Sequence, residues 1–193
     1  MSTASKPRLM TAEEFMTADL GDGLFELVRG EVVRLSPPYY PHGSVCNNIS
    51  GLFWDYGRRT GYGHGAGNDA SVQTQRGPDT VRGPDVLFIS YARWPKEERR
   101  STPGAPVKLP PVAPDVAVEV VSPGDRRIEV LEKVREYLDA GTLAVWVVRP
   151  DVRTIAIHRH SDAPPTTLVD GESIEEQPEL PGFRCAVSEV FED

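Results

Sequence analysis

The sequence predicts an α/β fold with a mixed central sheet, flanked by helices and carrying a β-hairpin toward each end. Three observations lead there. Apolar runs of strand length occupy the middle of the chain, at Val81–Tyr91 and Asp115–Val121, and each carries an acid within it, Asp85 and Glu119. From Asp115 to Val148 the order is strand, helix, strand, which requires a right-handed crossover and a parallel pair. Paired short apolar runs separated by turn residues mark hairpins near both termini.

Each element follows from local chemistry. Residues 1–10 read as a disordered lead-in, with one domain expected over 11–193. Thr11-Ala-Glu-Glu-Phe15 carries the Thr-x-x-Glu pattern of a capping box and opens a short helix. Phe25–Leu35 folds back at Arg29-Gly30 as a hairpin. Pro37, Pro38 and Pro41 interrupt the chain before His42–Arg59, where Val45, Ile49, Leu52, Phe53 and Tyr56 fall on one side of a helix. Gly61–Gly67 is too glycine-rich for a regular element and reads as a flexible turn, so the next strand is expected in Asp69–Gln75. Val81–Tyr91 is a strand, and Pro95, Pro103, Pro106, Pro110 and Pro111 make the following stretch a loop. Then come the strand Asp115–Val121, a helix from Arg126 to Ala140 stopped by Gly141, and the strand Leu143–Val148. Thr154–His160 and Thr166–Val169 form the second hairpin, followed by an acidic stretch.

The composition is that of a globular chain: 193 residues, 39% hydrophobic, long enough for a sizeable core. No apolar stretch reaches the length of a membrane span, and the start of the chain lacks the apolar centre of a secretory signal, so a cytoplasmic location is expected. Cys46 and Cys185 have no metal-ligand spacing and read as incidental thiols, with a disulfide left open. The net charge of −8 is unevenly spread: residues 170–193 hold eight acids against Arg184, leaving the rest of the chain close to neutral. Arg93, Lys96, Arg99, Arg100 and Lys108 form a basic loop that either meets phosphates or is an ordinary solvated loop.

The two acids carry the chemistry. An ionised carboxylate among core residues costs several kcal/mol unless it is paired, hydrogen-bonded or bound to a cation. By the strand period of two, Asp85 shares a face with Leu87 and Ile89, and Glu119 shares one with Ala117 and Val121, so both stand where core residues belong. The alternative is an acid satisfied by arginine or backbone donors. On the helix that follows, Val130, Leu131, Val134, Tyr137 and Leu138 form the apolar face, with Glu129, Glu132, Glu136 and Asp139 on the far side. Lys133 lies at the edge of the buried face, with Arg126 on the same edge. It either reaches toward the acids or pairs at the surface with Glu129 or Glu136.

Gly83-Pro-Asp-Val-Leu-Phe-Ile89, then Pro114-Asp-Val-Ala-Val-Glu-Val-Val-Ser-Pro123, a helix with an internal lysine, Tyr137-Leu-Asp-Ala-Gly141 and Val145-Trp-Val-Val148 together resemble the Uma-two restriction endonuclease family of the PD-(D/E)XK nuclease superfamily. The similarity runs from about Thr11 through the C-terminal hairpin. It implies a restriction endonuclease-like core. One position departs from the superfamily pattern: the usual lysine, two residues after the second acid, is Val121 here, and the resemblance implies that Lys133 on the next helix replaces it. Glu26 and His42 also resemble family positions, Glu26 being the preferred site residue, although a surface acid on the hairpin is an equal reading.

The implied chemistry is hydrolysis of DNA phosphodiesters, with duplex DNA as partner and no membrane. Asp85, Glu119 and the Val120 carbonyl supply hard oxygen ligands for Mg²⁺ or Mn²⁺. Lys133 orients the attacking water or offsets charge in the transition state. A homodimer is expected, to engage both strands of a duplex. The competing readings are a catalytically inactive nuclease fold that binds DNA or protein, and hydrolysis of another phosphate substrate. Weaker signals are His158 and His160, two apart on a strand, and Gly61–Gly67, which lacks the Gly-Lys-Ser/Thr ending of a phosphate loop. No serine has the spacing of a hydrolase nucleophile.

Overall fold

In the computed structural model, residues 8–68, 70–99, 109–161 and 163–192 are described. The first helix, α1 (Ala12–Thr17), starts on the expected capping box: Thr11 Oγ1 accepts from the Glu14 amide and the Glu14 carboxylate accepts from the Thr11 amide. A hairpin follows, β1 (Leu24–Val28) and β2 (Glu31–Leu35), turning at Arg29 and Gly30, both with positive φ as this tight turn demands. Of the expected lead-in, residues 1–7 lie outside the described residues. Met10 donates its amide to the Gly30 carbonyl, so the described part is docked on the turn.

Helix α2 (Tyr40–Thr60) has proline in its first turn, where a missing N–H costs nothing, and ends at Gly61 in the left-handed conformation. The strands β3 (Gly63–Gly67), β4 (Val72–Gln75), β5 (Thr80–Arg82), β6 (Val86–Ser90) and β7 (Val116–Val120) precede α3 (Arg127–Asp139). After it come β8 (Ala144–Arg149), β9 (Thr154–Arg159), β10 (Thr166–Val169), β11 (Ser173–Ile174), β12 (Cys185–Ala186) and α4 (Val187–Val190). The main sheet has the order β10-β9-β8-β7-β6-β3, in which β7 and β8 are parallel and the other pairs antiparallel. A four-stranded sheet of order β2-β1-β5-β4 stands beside it.

Helix α2 covers one face of the main sheet. Val45, Ile49, Phe53 and Tyr56 meet Val116, Val118, Val120 and Trp146 there, joined by Leu180, Phe183, Val187 and Val190 of the C-terminal stretch. Helix α3 covers the other face, with Val134 and Tyr137 on Ala117, Val145 and Val147.

Two expectations are corrected. Val81–Tyr91 is not one strand: β5 and β6 belong to different sheets, because Gly83-Pro84 interrupts the run and proline has no N–H for the ladder. Gly61–Gly67 is not merely a turn, since residues 63–67 form the edge strand β3. Its glycines permit close packing: a Cβ at Gly63 would lie 2.5 Å from the Phe88 ring of β6, and one at Gly65 would lie 2.8 Å from Phe53 Cβ of α2. The acidic C-terminal stretch also supplies Leu180, Phe183, Val187 and Val190, which complete the α2-side core. Asp69 of the expected Asp69–Gln75 strand lies outside the described residues, as do Arg100, Pro103, Pro106 and Lys108 of the proline-rich loop.

Candidate active site

A cleft of about 390 Å³ opens where β6 begins and β7 ends, lined by His42, Gly83, Asp85, Glu119, Val120 and Lys133 among others. The break at Gly83-Pro84 leaves Asp85 at the mouth of β6 rather than within it. One register step beyond the Val86–Val118 pair, Asp85 faces Glu119 on the neighbouring strand.

Glu26 of β1 is buried behind the cleft and does not lie on the hairpin surface. Its carboxylate accepts from Arg82 Nη1 at 2.8 Å and from the Gly83 amide at 3.3 Å, and Lys133 Nζ is 3.1 Å away. The same Nζ lies 3.2 Å from Glu119 Oε2, while the Tyr137 hydroxyl donates to Glu119 Oε1 at 2.8 Å. Lys133 therefore bridges two acids from different sheets instead of pairing with Glu129 or Glu136. Glu136, assigned to the far side of the helix, turns inward and holds Arg82 in a two-point fork at 2.7 and 2.9 Å. Charges alternate along Glu136, Arg82, Glu26, Lys133 and Glu119. Arg126 takes no part: it is exposed and pairs with Glu129.

Asp85 is held differently. The Val120 amide donates to its Oδ2 at 2.6 Å, and His42 Nε2 lies 3.1 Å from Oδ1. A strand residue points its N–H and C=O toward the same neighbour, so the Val120 carbonyl also faces the Asp85 side. On the other side of the imidazole, His42 Nδ1 is 3.4 Å from Cys46 Sγ, one turn further along α2. His42, Cys46 and Asp85 each offer a ligand atom within 4.8 Å of the others, a grouping that the reading of Cys46 as an incidental thiol did not contain. The signal for it was present as a His-x-x-x-Cys spacing on a helix. Among the described residues, His158 and His160 join no such cluster.

Burial sets the electrostatics. The Glu119 carboxyl is pushed up to about 7, first by loss of solvent, against the pull of Lys133, and further by the charges of Asp85 and Glu26. Burial alone would lower the Lys133 ammonium, but Glu119 and Glu26 outweigh it and hold the amine firmly charged. Burial also raises the Tyr137 hydroxyl well above its ordinary value, assisted by Glu119, so it stays a donor. Arg82 is shared between Glu136 and the buried Glu26, so Asp85 and Glu119 face the open cleft with the Lys133 ammonium beside them, which leaves an excess of carboxylate oxygen there. That donor set fits a hard divalent cation.

A second cleft of about 660 Å³ adjoins the first and shares Tyr39, His42, Ser122 and Asp125 with it. Arg149 lines it, and Arg34 lines the first cleft. The predicted basic loop is built otherwise. Arg99 donates to the carbonyls of Ile89, Ser90 and Trp94 between the Tyr91 and Trp94 rings, and Arg93 donates to those of Pro114 and Gly141. These two guanidiniums brace the fold. Among the described residues no helix is long and apolar enough to cross a membrane.

Comparison with known proteins places this geometry in a family. The profile of Uma2, described as "Putative restriction endonuclease", matches residues 12–188. Among solved structures, the chain is similar to a protein from Anabaena variabilis described as "a putative nuclease belonging to DUF820", with a TM-score of 0.77 at 16% identity, over 94% of this chain and 97% of that one. No curated protein matches.

Proposed function

Because the chain belongs to the Uma2 restriction endonuclease family, we propose that it is a divalent-metal-dependent endonuclease that hydrolyses phosphodiester bonds of DNA. The observation that carries this reading is the meeting of Asp85, Glu119 and Lys133 on one open cleft, with Lys133 Nζ bridging Glu119 and the buried Glu26 behind it. Asp85 and Glu119 would hold Mg²⁺ or Mn²⁺, with the Val120 carbonyl as third oxygen. When bound, such an ion polarises a phosphate oxygen and lowers the pKa of a water.

The chain's own groups do the rest. The Val120 amide and His42 fix the Asp85 carboxylate from two sides, so its orientation is set before substrate arrives. Tyr137 and Lys133 do the same for Glu119. Lys133 stays protonated and meets the negative charge that develops on the phosphoryl oxygens, or orients the attacking water. Glu26 and Arg82 keep that ammonium at the end of the sheet.

The test is cleavage of single- and double-stranded DNA and RNA oligonucleotides with Mg²⁺, Mn²⁺ or chelator, beside calorimetric Mn²⁺ titration of wild type, Asp85→Asn and Glu119→Gln. Metal-dependent DNA cleavage lost in both variants together with Mn²⁺ binding is the expected result. DNA binding without cleavage in any metal would favour a scaffold that has kept the fold. We also read the working unit as a homodimer, one protomer per strand of a duplex; a single monomeric species in sedimentation with and without DNA would end that idea.

A further inference from the structure

We propose that His42, Cys46 and Asp85 form a second metal site, one for a thiophilic divalent ion of the Zn²⁺ class, adjoining the acidic site and sharing Asp85 with it. Residues four apart on a helix stack on one face, so His42 and Cys46 present imidazole and thiol together, the arrangement by which one helical turn chelates a metal. Asp85 completes the set from the start of β6.

The spacings suit such an ion. Tetrahedral zinc, with bonds of roughly 2.0–2.3 Å, wants ligand atoms about 3.3–3.6 Å apart. Here one ligand atom from each of the three lies within 4.8 Å of the others; the 3.1 Å contact to Asp85 and the 3.4 Å contact to Cys46 are made by opposite ring nitrogens of His42, one of which would bind the ion. Closing the set on one ion takes a reorientation of the His42 ring, so that a single nitrogen faces both Cys46 and Asp85. His42 lines both clefts, which gives the ion and its water a way in.

Ligand chemistry separates the two sites. Sulfur and imidazole select zinc, cobalt or nickel, whereas the oxygens of Asp85 and Glu119 suit magnesium or manganese. Binding releases the thiol proton to solvent as Cys46 becomes a thiolate ligand. Asp85 cannot be fully given to both ions, so occupation of the thiol site withdraws it from the acidic one. Zn²⁺ then acts as an inhibitor of Mg²⁺-supported cleavage. That consequence rests on the proposed nuclease activity; the metal site itself does not.

Titration of the full chain with Co²⁺, read by absorption, tests the site without reference to activity. The expected result is one equivalent of Co²⁺ giving tetrahedral d–d bands and a thiolate-to-cobalt charge-transfer band, displaced by Zn²⁺ but not by excess Mg²⁺. Cys46→Ser should lose the charge-transfer band, and His42→Gln should weaken Co²⁺ binding by roughly tenfold or more. Cys185→Ser and Glu119→Gln should keep it. Absence of a thiolate band in the wild type, its survival in Cys46→Ser, or its loss in Glu119→Gln would each overturn the assignment. If the chain proves inactive on every nucleic acid, the cobalt result still decides this proposal. If it is active, Zn²⁺ inhibition should be relieved in Cys46→Ser.

Discussion

The two faces of β7 are one residue apart in sequence and opposite in chemistry. Val116, Val118 and Val120 look toward α2 and meet Phe53 and Trp146 in a wholly apolar layer, where Phe53 packs edge-on to Phe88, Trp146 and Phe183 with centroids 5.4–5.7 Å apart. Ala117 and Glu119 look toward α3, where a thin apolar cluster gives way to the chain of charges through Lys133, Glu26 and Arg82. Interlocked aromatic packing supplies stability, and buried charges of this kind cost it. The strand is anchored from the α2 side, which lets the α3 side hold a carboxyl displaced to about 7. If that division is right, substitutions on the two faces should differ in kind as well as in size.

The largest effect is expected at Lys133. Lys133→Met should reduce cleavage by about 10³-fold or more, because an electrostatic contact made in the transition state contributes on the order of 3–4 kcal/mol. It also strands Glu26 and Glu119, so denaturant unfolding above pH 7 should show a loss of a few kcal/mol (about 2–4). Lys133→Arg separates the two roles: a guanidinium can restore the ion pairs and with them stability, but not a compact point charge at the reacting phosphate. Wild-type cleavage by Lys133→Met would make the α3 face structural and remove the contrast.

On the α2 face, Phe53→Ala should destabilise by about 3–5 kcal/mol at every pH, the cost of a cavity amid close-packed rings. Glu119→Gln should do the reverse. A carboxyl whose folded pKa lies above its unfolded value contributes stability below about pH 4.5, and that contribution is lost as pH rises through 7. Metal-free Glu119→Gln should therefore exceed wild type by about 3 kcal/mol at pH 8, given 1.36 kcal/mol per pKa unit, and match it near pH 4.5. Chemical denaturation at the two pH values checks both variants. A pH-independent result for Glu119→Gln would mean the carboxyl is not displaced by burial.

Much of this was legible in the residues. The hairpin at Arg29-Gly30, the parallel β7–α3–β8 unit and the nearness of Asp85, just before β6, to Glu119 on β7 follow from local turn chemistry and the period of two. Three things were not. The split between β5 and β6 hides in an otherwise apolar run, where Gly83-Pro84 acts as a border between sheets. The inward turn of Glu136 depends on Arg82 arriving from β5, a long-range contact that helical periodicity does not contain. Cys46 was missed because spacing was sought between cysteines, whereas its partners are a histidine one turn away and an acid from β6. In each case the missing information was tertiary: which strand edge or side chain comes to face the residue.

The smallest expected effect gives the finest test of the two-face contrast. Tyr137 is buried like the aromatics opposite, and its ring packs on Ala117, Val145 and Val147, yet its hydroxyl donates to Glu119 at 2.8 Å. Tyr137→Phe keeps the ring and removes only that donor. At pH 8 the bond is made to an ionised carboxylate and its loss should cost about 1–2 kcal/mol. At pH 5 Glu119 is largely protonated, the bond is between neutral groups, and the cost should fall below about 1 kcal/mol. Because the hydroxyl stabilises the charged form, its removal should also raise the Glu119 titration above 7, visible as a shift in the midpoint of the stability-versus-pH curve. An equal cost at both pH values, with no shift of that midpoint, would make Tyr137 an apolar packing residue like Phe53, and the two faces of β7 would then differ only at Glu119 and Lys133.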